Sequence, residues 1–141
     1  MPVGTVLRFV RRFAVTGGRN FDDPLAVAIA LLHFPPDAVL VHGAAMGADT
    51  ACAEHWTLRG RKTEAHPARW SDPCQPSCKP GHRRIRQGIP DAFCPAAGVY
   101  RNQQMIDSGL DWLVAFPGGK GTRDMVARCK AAGVLINVVK P

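Results

Sequence analysis

Short apolar runs alternate along this chain with longer segments of helical periodicity. Arg12 to Thr16 (RFAVT) reads as a buried strand, preceded by an arm of mixed character. Gly17-Gly18-Arg19 follows as a turn. Asp22 or Asp23 can cap a helix with Pro24 in its first turn, where a missing N–H does no harm. That helix runs through LAVAIALLHF and stops before Pro35-Pro36. Ala38 to Val41 is a second buried strand. It leads through the small-residue loop His42 to Asp49 into another helix. There Ala48, Ala51, Cys52, His55 and Trp56 fall on one side, the spacing of a core-facing stripe. Lys62 to His66 is a short third strand.

The rhythm resumes at Tyr100 to Ser108, a helix ended by Gly109. Asp111 to Phe116 is a fourth strand, followed by the glycine-rich turn Pro117 to Thr122. A helix then buries Met125, Val126, Cys129 and Ala132 and ends at Gly133. Val134 to Val139 is the last strand. Strands that are continuously apolar, with helices between them, mark a parallel sheet covered on both faces. Right-handed crossovers then predict an α/β fold, a doubly wound, Rossmann-like single domain over residues 1–141.

Residues 67–99 break the pattern. Six of the twelve prolines and three of the five cysteines fall there, with neither helical nor strand periodicity. A structureless loop of that length is uncommon in a compact domain and needs another organiser.

Composition narrows the classes. A chain of 141 residues suits one domain, and a 46% hydrophobic content excludes wholesale disorder. No apolar run approaches the ~18 residues of a membrane span. The N-terminal stretch carries its positive charges among apolar residues and lacks a cleavage site, unlike a secretory signal. The expectation is a soluble, cytoplasmic domain with no membrane partner. The net charge is +7, and eight basic residues lie between Arg59 and Arg86 against Glu64 and Asp72. That run is either a solvated surface or a nucleic-acid footprint. Aromatic residues make up 7% of the chain and are not expected to interleave with it, so a base-stacking platform is not anticipated.

In an open α/β sheet, ligands bind beyond the carboxyl ends of the strands. Three loops leave such ends here: Thr16-Gly17-Gly18-Arg19, His42 to Asp49, and Pro117 to Thr122. Glycine brings backbone N–H groups close to an anion, and a following helix adds partial positive charge. Thr16, Thr122, Arg19 and Lys120 add donors and charge. The pattern points to a phosphate or nucleotide; the alternative is tight turns of purely structural use. GxxxxGK[ST], GxGxxG and GxSxG are all absent, which argues against a Walker-type NTPase, an ordinary dinucleotide dehydrogenase and an α/β-hydrolase.

The segments VTGGRNFDD, VHGAAMGADTACAEHW, HPARW, AGVYRNQQMID and DWLVAFPGGKGTRDMV occur in that order. Together they resemble the YspA/YpsA-related branch of the SLOG superfamily, which includes relatives of the LOG nucleotide hydrolases and of DprA. The likeness extends from Arg12 to Val139, the Cys-rich segment excepted. It implies a Rossmann-like fold that binds a nucleotide-derived small molecule, with PGGKGT at the phosphate. The matching positions are Gly17, Arg19, Gly43, Gly47, Asp49, Arg101, Asn102, Gly118, Gly119, Gly121 and Thr122; Gly18 and Lys120 lie in the same loops. Relatives of this fold usually assemble, so a homo-oligomer is expected.

LOG hydrolases carry PGGxGTxxE, and this chain has Met125 where their Glu stands. Methionine cannot transfer a proton, and Asp124 is turned away by about 100° on a helix. Asp49 and Asp107 remain as candidate catalytic carboxylates. Binding or sensing is therefore expected ahead of N-glycosidic hydrolysis, with a DprA-like DNA-associated role as a third reading. Asp49 can instead cap its helix, Arg101 can be a surface charge, and His42 reads as structural. Cys52, His55 and Cys129 read as core.

Cys74, Cys78, His82 and Cys94 form a Cys3His set, a normal composition for structural zinc. The segment around them, 71–99, has few apolar residues, so a metal would organise it by supplying folding free energy. Within this set His66 or a water is the alternative to His82; the alternatives to a metal are free thiols or a Cys74–Cys78 disulfide. This segment is expected to form a lid beside the ligand site, holding Arg83, Arg84 or Arg86 near phosphates.

Overall fold

A computed structural model describes residues 11–86 and 89–141, so most of the expected N-terminal arm lies outside the described residues. The strands are β1 (Arg12–Thr16), β2 (Val39–His42), β3 (Thr63–Ala65), β4 (Arg84–Arg86), β5 (Ile89–Phe93), β6 (Trp112–Ala115) and β7 (Leu135–Val138). The helices are α1 (Pro24–Leu31), α2 (Ala48–Leu58), α3 (Ala97–Asp107) and α4 (Lys120–Ala132). Five strands form one parallel sheet in the order β3-β2-β1-β6-β7. The chain winds one way from β1 and then returns to add β6 on the other side. This is the expected doubly wound, Rossmann-like α/β fold.

Strand periodicity sends alternate side chains to opposite faces. Phe13, Val15, Leu40 and Val114 enter one core layer, with α1 and α2 residues including Leu31, Cys52 and Trp56. Ala14, Val41 and Leu113 enter the other, with Met105 of α3 and Met125 and Cys129 of α4. Trp56 is fully buried and donates its indole N–H to Ala38 O at 3.2 Å. Asp23 caps α1, its Oδ1 accepting from Ala26 N at 3.0 Å.

Several expectations need correction. Helix α1 ends at Leu31, and Phe34 reaches the core from the turns that follow. Helix α3 begins at Ala97, three residues before Tyr100. His55 is only half-buried and belongs to neither core layer, because it lies at the edge of the α2 stripe. Ala132 is exposed at the end of α4, where the helix has run past the sheet. The proline-rich segment contains an unforeseen antiparallel hairpin, β4-β5. Among the described residues, no helix is long and apolar enough to cross a membrane.

One charged network joins the sheet to α3. Arg12 pairs with both carboxylate oxygens of Glu64 on β3 and donates to Gly109 O and Ser108 Oγ. Glu64 also meets His66 Nε2 at 2.6 Å. The Arg12 guanidinium is the main reason that the Glu64 carboxyl is held down to about 2.

Candidate functional site

Strand order reverses between β1 and β6, and the loops beyond these strands are tied together. Gly18 N donates to Pro117 O at 2.8 Å, and Ala48 N donates to Gly18 O at 3.2 Å. The three glycine-rich loops thereby line one cleft of about 890 Å3. Thr16, Gly17, Gly18 and Arg19 come from the first loop, Gly43 and Asp49 from the second, and Gly119, Lys120, Gly121 and Thr122 from the third. Arg101 and Asn102 reach it from α3. Gly47 and Gly118 are not lining residues, but they shape the same turns: Gly47 precedes α2, and Gly118 packs against Thr122.

Arg101 is fixed from two sides. Its Nη1 donates to Gly43 O, and its Nε donates to Asn102 Oδ1 at 3.0 Å. A side chain at Gly43 would collide with the guanidinium, so glycine is required there by close approach. Asn102 Nδ2 in turn donates to Gly121 O at 3.2 Å and to Asp124 Oδ2 at 3.0 Å. One two-residue step on α3 therefore braces the second and third loops together.

Asp49 does not cap α2 from the N-cap position, which is Gly47. Its Oδ2 instead accepts from Gly43 N at 2.8 Å and from Ala45 N at 3.4 Å. The carboxyl is buried, and that burial pushes its pKa up against the pull of the Gly43 N–H and of Arg101. His42 Nδ1 accepts from Ala44 N at 3.0 Å. Burial lowers its pKa, which suits a neutral ring that shapes the loop.

Cys74, Cys78, His82 and Cys94 converge, with their four ligand atoms all within 4.8 Å of one another. Cys78 Sγ lies 3.8 Å from Cys94 Sγ, and Cys94 Sγ lies 3.4 Å from His82 Nε2. Cys74 Sγ lies 2.9 Å from His82 Nε2, so the four ligand atoms are gathered closely enough to hold a metal ion. The sulfurs are all free of disulfide bonds. His66 is engaged by Glu64 and lies outside the set. Arg83 Nη1 approaches Cys74 Sγ at 3.6 Å, and Tyr100 OH meets Cys78 Sγ at 2.8 Å. The Tyr100 contact lowers the Cys78 pKa and links the cluster to the helix that carries Arg101.

Some residues are not brought together. Asp107 lies at the far end of α3, exposed and bonded to Gln103 at 2.9 Å, outside the large cleft. It lines a smaller cleft of about 490 Å3 between α3 and the Cys-rich segment. Arg83 donates to Asp72 O, and Arg84 to His82 O. Neither lines the large cleft, because both are used inside the insertion. The Arg86 side chain lies outside the described set. Met125 lines the cleft, while Asp124 binds Arg128 at 2.9 Å. Trp70 falls within the basic run and lines the cleft, contrary to the expectation that no aromatic interleaves there. Its place between two arginine-bearing stretches, in HPARW, was the available signal.

No protein-family model matches the chain. Over 137 residues it is 33% identical to the Gene 61 protein of Mycobacterium phage D29, a match covering 89% of this chain and 93% of that protein.

Proposed function

We propose that this chain, which belongs to the family of the Gene 61 protein of Mycobacterium phage D29, binds a phosphate-bearing, nucleotide-derived small molecule. One observation carries the reading: three glycine-rich loops and the braced Arg101 line a single cleft of about 890 Å3 at the sheet's reversal point. Gly18 N is taken by Pro117 O, but the backbone N–H groups of Gly17, Arg19 and Gly119–Thr122 suit phosphoryl oxygens, and the start of α4 adds favourable dipole. Arg19, Arg101 and Lys120 supply charge. Membership of the YspA-like SLOG group is part of the same proposal.

The role is binding or sensing ahead of hydrolysis. Met125, buried in the cleft, has no proton to transfer, and Asp49 spends its Oδ2 on loop N–H groups. The Cys3His cluster would hold a zinc ion. With all four positions filled by protein, such an ion supplies structural stability and leaves no site for an activated water.

Native mass spectrometry of the purified protein, followed by titration with nucleoside monophosphates, tests both parts. One zinc per chain and saturable nucleotide binding are expected. A folded, metal-free chain would overturn the zinc assignment. Failure to bind any nucleoside monophosphate, with no co-purified nucleotide-sized mass, would overturn the ligand reading. Release of free base, abolished by Asp49→Asn, would make the protein a hydrolase instead.

A further inference from the structure

The cleft has a wall that its glycine-rich floor does not explain. Trp70, Phe93, Pro67, Pro95 and Val99 line it from the Cys-rich segment and the start of α3. Two of the chain's three tryptophans are committed elsewhere: Trp56 is fully buried, and Trp112 stacks on Phe13 with centroids 6.1 Å apart. Trp70 is only half-buried. Its ring meets Phe93 edge-to-face at 6.1 Å and 78°, which fixes its orientation. Its carbonyl accepts from Cys94 N at 2.8 Å, so its backbone is anchored to the Cys3His cluster.

Trp70 passes close over the first turn of α3. A Cβ at Gly98 would stand 3.2 Å from Trp70 Cη2 and 3.8 Å from Arg101 Nη2. An indole and a guanidinium therefore flank the same Cα, and both line the cleft. Arg101 Nη1 and Nε have protein acceptors, whereas Nη2 has none among the described residues. An indole lining the cleft beside a cationic donor, with backbone N–H groups further along the floor, suits a planar heterocycle joined to a phosphate. The volume exceeds what a phosphate ion needs and lies within the ~300–1,000 Å3 typical of small-molecule sites.

We infer that Trp70 is the stacking face for the heterocyclic base of the nucleotide, supplied by the Cys-rich insertion. The inference rests on the phosphate site proposed above and adds a contact to the base moiety. Stacking tolerates different bases, since every base offers a π face. The insertion would then act in recognition: its metal cluster holds the segment that presents the indole.

Calorimetric titrations with AMP, CMP and ribose 5-phosphate test this on the wild type, Trp70→Phe and Trp70→Ala. The wild type should bind both nucleotides more tightly than ribose 5-phosphate. Trp70→Ala should weaken AMP by about 5- to 150-fold, leaving ribose 5-phosphate within about twofold. Trp70→Phe should recover most of the AMP affinity. Equal losses for AMP and ribose 5-phosphate in Trp70→Ala would reduce Trp70 to a structural prop and overturn the inference. Equal wild-type affinity for the two would overturn it as well, leaving the phosphate site standing; this arm needs no variant to fold. A wild type that binds neither would overturn the inference together with the reading beneath it.

Discussion

At the scale of single residues, the polar groups fall into those that hold the fold and those that line the cleft. Glu64 belongs to the first kind. Its carboxyl drops from an ordinary 4.5 to about 2, chiefly through Arg12. A depressed acid stabilises the fold above its unfolded value and loses that contribution as pH falls. The window is therefore about pH 4.5 down to 2. Solvent screens this half-exposed pair, so the contribution is of order 1–2 kcal/mol. Thermal unfolding of Glu64→Gln should show a lower midpoint at neutral pH and a flatter decline across that window. A variant with an unchanged acid limb would remove the network from the stability account. Arg101 belongs to the second kind. Arg101→Lys loses the planar fork that meets Gly43 O and Asn102 together. It should weaken ribose 5-phosphate at least about tenfold, a loss typical of one charge-assisted contact, read by the same calorimetry.

At the scale of elements, the regular part was legible because the central strands β1, β2 and β6 carry apolar runs and the helices have start or stop residues. Asp23 does cap α1, and Gly133, at φ +77°, does end α4. The hairpin was not legible. Strand β4 is only Arg-Ile-Arg, too short for its alternation to mark a strand, and β5 contains a proline, which argues against one. What was legible there was ligand chemistry, since cysteine and histidine spacing survives without secondary structure. Arg83 and Arg84 were misplaced because charge alone cannot tell a phosphate contact from a tie to a nearby carbonyl. The insertion's dependence on its cluster gives an element-scale expectation. Cys74→Ser/Cys78→Ser should abolish metal retention and raise hydrogen exchange across 67–99. Amides of β1, β2 and β6 should keep their protection, because no cluster residue enters either core layer. Loss of protection throughout the sheet would make the cluster part of the global fold.

At the scale of the whole molecule, the cleft exists because β1, β2 and β6 end side by side and their loops are glycine-rich. The reversal point was therefore readable from the order of strands and helices. Its apolar wall was not, since Trp70 approaches α3 through a turn with no periodic signature. Net charge is the other global property, at +7. Much of the basic run is used locally: Arg61 lies over Trp56 at 4.7 Å, Arg69 pairs with Asp72, and Arg83 and Arg84 bond within the insertion. A ligand held by loops from three strands and one helix couples to the stability of the entire domain. At a hundred times its dissociation constant, AMP should add about 2.7 kcal/mol. The thermal midpoint should rise by several degrees, about 2–8 °C for a domain near this size, and continue rising with the logarithm of AMP concentration. Duplex DNA should neither reproduce that rise nor displace AMP. If duplex DNA displaced AMP competitively, with an affinity that collapsed as salt increased, the cleft and the basic run would be one polyanion surface and the small-molecule reading would fail.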